Sequence, residues 1–91
     1  MRTLTLLSIL AATFGITSLA EAGGFGKACT SAPQSQWLSI GDLQRKVEAR
    51  GYKVQKAKIK NSCGELYATD KNGARVEIFV DPTNGAIIGT M

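Results

Sequence analysis

The stretch ELYATDKNGARVEIFVD (residues 65–81) predicts a β-hairpin, and the rest of the fold can be built outward from it. Two β-type runs, Glu65–Asp70 and Ala74–Asp81, flank Lys71-Asn72-Gly73. These three residues suit a hairpin loop with its glycine in the left-handed conformation. The loop places the last residue of the first run opposite the first residue of the second, which fixes how the two strands pair.

This register separates two kinds of side chain. On one face it pairs Ala68 with Val76 and Leu66 with Ile78. The other face, called the mixed face from here on, carries three pairs: Thr69 with Arg75, Tyr67 with Glu77, and Glu65 with Phe79. A slip by one residue would move every aliphatic side chain to the opposite face. We therefore expect the aliphatic face to receive a helix.

A helix is predicted from Ile40 to Arg50. Ser39 and Asp42 have the spacing of a capping box, and the carboxylate also suits the N-terminal end of the helix dipole. Leu43 and Val47 lie four residues apart and give the helix one apolar side. Gly51 then fits a left-handed stop.

Two further strands complete the predicted sheet. Tyr52–Lys60 alternates apolar residues with lysines, and a bulge near Gln55 and Lys56 reconciles a change of parity within it. A turn is predicted at residues 61–64. Pro82 and Asn84-Gly85 indicate a reversal, after which residues 86–88 return as a short strand. The predicted class is α+β, with one main helix packed on a three- to four-stranded antiparallel sheet.

The first 22 residues have the pattern of a signal peptide. Arg2 precedes an apolar run, Leu4–Leu19, and Ala20-Glu21-Ala22 fits the small-x-small cleavage pattern. A retained membrane anchor is the alternative, but no basic stop-transfer flank follows the run. We expect an exported protein, periplasmic or secreted, without a stable membrane span after cleavage. Removal of the segment takes away one basic and one acidic residue, so the net charge stays at +4.

The remaining chain is small and needs a covalent staple. Residues 23–36, called the N-terminal arm, have an irregular composition, and the folded domain is predicted at residues 37–91. Cys29 and Cys63 are the two cysteines, and in an oxidising compartment a disulfide is the default interpretation. It would contribute about 3–4 kcal/mol in the loop-entropy model. A redox-active pair is the alternative, although such pairs usually have C-x-x-C spacing.

Several motifs together resemble the PepSY domain family. They are GYKV at residues 51–54, CGELY at residues 63–67, DKNGARVEIFVDPTNG at residues 70–85 and the closing residues 86–88. The similarity covers Trp37 to Ile88, and the chain is most similar to small exported proteins with a single such domain. Asn84 stands where the family often has threonine. The resemblance implies a helix laid against an antiparallel sheet, and related domains occur in propeptides of thermolysin-type metallopeptidases, where they assist folding and restrain the protease.

The sequence offers no catalytic constellation. It contains no histidine, so the usual general base and the commonest metal ligand are missing. Asp70, Asn72, Asp81 and Asn84 could suggest calcium, but the glycines and the final glutamate of a calcium loop are not in place. A carboxylate pair of Glu65 and Glu77 is geometrically possible, with a cross-strand ion pair as the simpler alternative. We predict a protein without enzymatic activity, cofactor or metal.

Two candidate interaction surfaces follow from the predicted sheet. Lys56, Lys58 and Lys60 share one strand face, where they could dock an acidic partner or simply be solvated. Nucleic acid is disfavoured by export and by the lack of aromatic residues among these lysines. The second surface is the mixed face, whose members we list as Tyr67, Phe79, Glu65, Glu77 and Arg75, with Trp37 nearby. Its aromatic residues are typical interface anchors, or the N-terminal arm covers them.

These features favour an exported, non-enzymatic binding or regulatory module that acts through protein contacts. The predicted partner is a protein of the cell envelope, with a peptidase as one candidate, and the predicted state is a monomer or weak oligomer. The alternative is an envelope protein that binds a small ligand or metal, which would need a concave pocket.

Overall fold

The computed structural model describes residues 25–91, which form one helix on a four-stranded antiparallel sheet. A short 3-10 turn at Gln34–Gln36 precedes the regular elements, which are α1 (Ile40–Glu48), β1 (Lys53–Lys60), β2 (Cys63–Thr69), β3 (Arg75–Val80) and β4 (Ile87–Thr90). The strands lie in the sheet in chain order, so β1 and β4 are its edges. The α+β class is confirmed. The predicted signal peptide, residues 1–22, lies outside the described residues.

Helix α1 begins where the sequence predicts and ends slightly earlier. The Ser39 hydroxyl accepts a hydrogen bond from the Asp42 N–H at 3.1 Å, which is the predicted cap. At the other end, the N–H groups of Arg50 and Gly51 donate to carbonyls only three residues back, so the last turn is tighter than an α-helix. This is why the helix ends at Glu48 and not at Arg50. Among residues 25–91, no helix is long and apolar enough to cross a membrane.

The first two strands meet at a shorter turn than predicted. Asn61 and Ser62 alone form it, with φ values of 51° and 61°, so the prediction of a turn over residues 61–64 is wrong in its length. Cys63 and Gly64 belong to β2 instead. Gly64 has to be a glycine there, because a Cβ would lie 2.6 Å from Val80 Cγ2. The predicted bulge in β1 is confirmed by a register shift between Val54 and Lys56.

The hairpin of β2 and β3 has the predicted register in all its pairs, from Gly64 with Val80 to Thr69 with Arg75. Its loop is fixed by the Asp70 carboxylate, which accepts hydrogen bonds from the N–H groups of Asn72 and Ala74 at 2.8 and 2.9 Å. Gly73 has a φ of 85°, the left-handed conformation expected at that position. The loop and the alternating pattern therefore agree on one register.

The core lies between α1 and the aliphatic face of the sheet. Its fully buried side chains are Leu43, Val47, Leu66, Ala68, Ile78 and Val80. Burial of one Leu, Val or Ile side chain stabilises a fold by about 1.5–3 kcal/mol. The expectation that the aliphatic face receives the helix is thus confirmed. The opposite face of the sheet, the mixed face, has no helix on it among the described residues.

The last strand returns through a tight reversal. The Asp81 carboxylate accepts hydrogen bonds from the Thr83 N–H at 2.9 Å and the Thr83 hydroxyl at 2.7 Å. Gly85, with a φ of 78°, completes the turn. Strand β4 spans Ile87–Thr90 and not residues 86–88, because its pairing with β3 continues past the predicted end. The turn that contains Pro82 therefore serves to connect β3 with β4.

Candidate interaction surface

The N-terminal arm covers one end of the mixed face. Cys29 and Cys63 form the predicted disulfide, with their Cα atoms 4.8 Å apart, and so attach the arm to the start of β2. The Phe25 ring stacks on the Phe79 ring with 4.8 Å between the centroids. Phe25 also lies against Gly89, where a Cβ would come within 2.7 Å of the ring. We call this part of the mixed face, built on Cys63, Glu65, Phe79 and Gly89, the covered end.

Two residues of the predicted surface are buried at the covered end. Phe79 is fully inaccessible, and Glu65 retains 2% of its exposure. The Glu65 Oε2 atom has no hydrogen-bond partner among the described residues. Burial raises the pKa of the Glu65 carboxyl and the neighbouring Glu77 carboxylate raises it further, whereas Lys58 and Lys60 pull it down. A partner could not touch Phe79 or Glu65 unless the arm moved away.

The other part of the mixed face is accessible, and we call it the open end. It consists of Tyr67, Thr69, Arg75, Glu77 and Met91. These residues, with Gln55, Ala68 and Val76, line a groove of about 650 Å³. Met91 is held there because its backbone exchanges two 2.9 Å hydrogen bonds with Glu77. The open end therefore combines an aromatic ring, both signs of charge and a concave shape on a rigid sheet.

The lysines of β1 border this surface. Lys58 pairs with Glu65 and Lys56 pairs with Tyr67, so both lysines lie on the mixed-face side of β1. The Lys58 ammonium lies 5.7 Å from the centroid of the Tyr67 ring, a cation–π distance. Lys56 is exposed and Lys58 is half-buried. The two surfaces that the sequence analysis separates are thus one continuous surface along β1 and the open end.

Trp37 does not belong to that surface by any described contact. It is half-buried next to the 3-10 turn, and its indole Nε1 donates to the Ala32 carbonyl at 3.0 Å. Within the described part of the chain, the stacked rings are Phe25 and Phe79. Phe25 was missed by the sequence analysis, although its position shortly before Cys29 is a usable signal. An aromatic residue four positions before a cysteine tied to β2 is within reach of the same strand face.

The described residues contain no cluster of three or more metal-ligating side chains, and both cysteines are in the disulfide. Within residues 25–91, one α-helix, a four-stranded meander and a partly covered sheet face form a small disulfide-stabilised α+β domain.

The chain belongs to the PepSY family: the family model described as "Peptidase propeptide and YPEB domain" matches residues 4–91. No significant match was found among curated proteins or among solved structures. PepSY domains are propeptide or regulatory modules and not catalytic ones, and they occur in exported proteins. The family expected from the sequence motifs is confirmed.

Proposed function

We propose that this protein is an exported, non-catalytic binding module that modulates another envelope protein by direct contact, with a peptidase as the first candidate partner. Family membership supports a propeptide-like or protease-related role. The observation that carries the proposal is the open end of the mixed face. This face carries the aromatic ring of Tyr67 and the charges of Arg75 and Glu77, and no helix or strand of residues 25–91 covers it. Such a composition is typical of a protein interface.

The covered end supports the same proposal by contrast. Phe25 of the arm stacks on Phe79, which is fully buried, whereas Tyr67 on the same face is only half-buried. The pairing of β2 with β3 and the two hydrogen bonds between Glu77 and Met91 order the backbone of the open end, which reduces the entropy lost on binding. A partner that covers Tyr67 and Arg75 would bury the part of the mixed face that the arm leaves exposed.

Capture of exported proteins on the disulfide-intact protein at low salt tests this proposal. Mass spectrometry would identify the partner, and the activity of a recovered peptidase would be assayed with and without the protein. Arg75→Ala on the open end should weaken capture of the partner. The matched change Arg50→Ala, at an exposed position just after the helix, should not. Recovery of no reproducible partner, or equal capture by both variants, would contradict the proposal.

The groove of about 650 Å³ favours a second candidate, a small ligand bound between Tyr67, Arg75 and Glu77. Its size lies in the range of small-molecule sites. Arg75 would select a carboxylate or phosphate group on such a ligand. Thermal shift with a panel of small anions tests this alternative, and Arg75→Gln should remove any shift. Absence of a shift with every compound would leave the protein-binding proposal alone.

A further inference from the structure

We propose that the free edge of β1 binds an extended segment of the partner protein in which acidic and apolar residues alternate. The inference rests on the proposed function, since it specifies the surface and the chemistry by which the partner is held. The reasons lie in the backbone geometry of β1 and in the side chains that flank its free edge.

The turn between β1 and β2 shows which backbone groups face outward. With positive φ at both Asn61 and Ser62, it is a two-residue primed turn, in which the flanking residues exchange both hydrogen bonds. Bonded and non-bonded pairs alternate along an antiparallel ladder. Lys58 with Glu65 is therefore a bonded pair, and Ala57 and Ile59 belong to the pairs between. The N–H and C=O groups of Ala57 and Ile59 point away from β2.

The hydrogen bonds between β3 and β4 lead independently to the same outward-facing residues of β1. Glu77 exchanges both of its backbone hydrogen bonds with Met91, at 2.9 Å each, so its polar backbone groups point away from β2. Its opposite residue, Tyr67, must then direct its backbone groups toward β1, where it pairs with Lys56. A bonded pair at Lys56 again leaves Ala57 and Ile59 facing outward.

Within the described part of the chain, the outward backbone groups of Ala57 and Ile59 have no strand to pair with. Strand β1 is the first in the sheet, and no backbone hydrogen bond from another element reaches Ala57 or Ile59 within residues 25–91. A row of unpaired donors and acceptors on an edge strand is a template for a further strand. The position is therefore competent for strand addition.

The side chains along β1 specify what that strand should contain. Lys56, Lys58 and Lys60 lie on the mixed-face side, and Ala57 and Ile59 lie on the helix side. In an added strand, the residues beside Lys56 and Lys58 are best acidic, and the alternate residues beside Ala57 and Ile59 are best apolar. A second copy of β1 would place lysines against lysines, which is destabilising. The edge at β4 carries no charged residue and makes no such selection.

A synthetic peptide, acetyl-Glu-Val-Glu-Val-Glu-Val-Glu-amide, tests the proposal on the disulfide-intact protein. NMR titration should shift the amide signals of Ala57 and Ile59, and their hydrogen exchange should slow, while Ile88 and Thr90 on the β4 edge stay unchanged. The same peptide with Gln in place of Glu should bind more weakly. Higher salt should weaken the binding of the acidic peptide only.

Two variants separate the backbone contribution from the charge. Ala57→Pro removes an outward N–H without taking a hydrogen bond from the ladder, so a folded variant should lose binding. The double variant Lys56→Gln/Lys58→Gln should weaken binding by roughly 2- to 30-fold, the range for two exposed ion pairs. The matched double variant Arg50→Gln/Lys71→Gln removes the same charge elsewhere and should leave the affinity close to that of the wild type. If Ala57→Pro does not fold, the lysine variant decides.

The edge proposal is overturned if the acidic peptide does not bind at millimolar concentration, if it protects Ile88 and Thr90 instead, or if sedimentation shows two β1 edges pairing in a dimer. Equal binding by the two charge-changed double variants also overturns it. The proposed function fails separately. A captured partner that tolerates Ala57→Pro but is lost with Arg75→Ala refutes the edge and keeps the function, whereas absence of any partner refutes the function itself.

Discussion

The two ends of the mixed face differ in what covers them. At the covered end, the arm places Phe25 on Phe79 and leaves Glu65 with 2% of its exposure. At the open end, Tyr67 and Arg75 have no such cover, although they lie on the same two strands. The difference does not come from the pairing of these two strands, which is regular from Gly64–Val80 to Thr69–Arg75. It comes from the position of Cys63, to which the arm is tied, and from the place of Phe25 on the Phe79 ring.

A very small domain can leave part of a sheet face exposed when the rest of that face is fastened. A core of six fully buried side chains and one short helix supplies only limited stability. The disulfide and the Phe25–Phe79 stack add to it at one end, so the other end can remain exposed without loss of the fold.

The largest effect is expected from loss of the disulfide. Cys29→Ala/Cys63→Ala should lower the free energy of unfolding by about 3–4 kcal/mol, because the arm would no longer restrict the unfolded chain or hold Phe25 in place. Urea denaturation measures the change. Wild-type protein under reducing conditions should behave in the same way. Stability within about 0.5 kcal/mol of wild type would show that the covered end does not depend on its covalent tie.

A smaller effect is expected from Phe25→Ala, which leaves the disulfide intact. Loss of the stacked pair and of its buried apolar area should lower stability by about 1–2 kcal/mol and expose Phe79. Phe25→Leu is the matched control and should lose less, since it keeps most of the apolar volume. Equal stability of Phe25→Ala and the wild type would mean that the disulfide alone closes the covered end.

The buried carboxyl of Glu65 should make the free energy of unfolding depend on pH. Its folded-state pKa is raised above the ordinary 4.5, so the folded protein holds the proton more tightly than the unfolded chain does. The stabilisation is complete below 4.5 and is lost as pH rises through the folded pKa.

Denaturation series of Glu65→Gln and the wild type at pH 4 and pH 7 test this dependence. The variant should gain stability relative to wild type on going from the lower to the higher pH. Exposed Glu48→Gln should show no comparable gain. A relative gain at the acidic end would mean that the buried carboxylate is stabilised in its ionised form.

The smallest effect on stability is expected at the open end. Arg75→Ala should change the free energy of unfolding by less than about 0.5 kcal/mol, because the side chain is exposed. The same variant should weaken partner binding more than any change at the covered end that preserves the fold. A large loss of stability would instead assign Arg75 a structural role.

The sequence predicts the pairing of the strands well, because that pairing depends on residues close together in the chain. The register of β2 and β3 follows from the three-residue loop and from the need to place Leu66 and Ile78 on one face, and the bulge in β1 follows from a parity change between Val54 and Ala57. The turn at Asn61 and Ser62 was predicted too long, because Cys63-Gly64 also has turn-forming residues. The steric demand of Val80 on Gly64 is visible only in three dimensions.

The division of the mixed face could not be obtained in full from the sequence. Coverage by the arm is one of two outcomes compatible with a tied Cys29, and the choice depends on where Phe25 comes to rest. That position is set by the Phe79 ring and by the space above Gly89, which belongs to a distant strand. The burial of Glu65, which keeps 2% of its exposure, is likewise invisible in the strand pattern, which would leave this carboxylate in water.

Hydroxyl-radical footprinting of Tyr67 and Phe79 tests the central claim most directly, because both are aromatic and lie on one sheet face. In the free, disulfide-intact protein we expect rapid labelling of Tyr67 and very slow labelling of Phe79. Addition of the captured partner should protect Tyr67. Labelling of Phe79 as fast as that of Tyr67, or a Tyr67 rate that the partner leaves unchanged, would contradict the division into a covered and an open end.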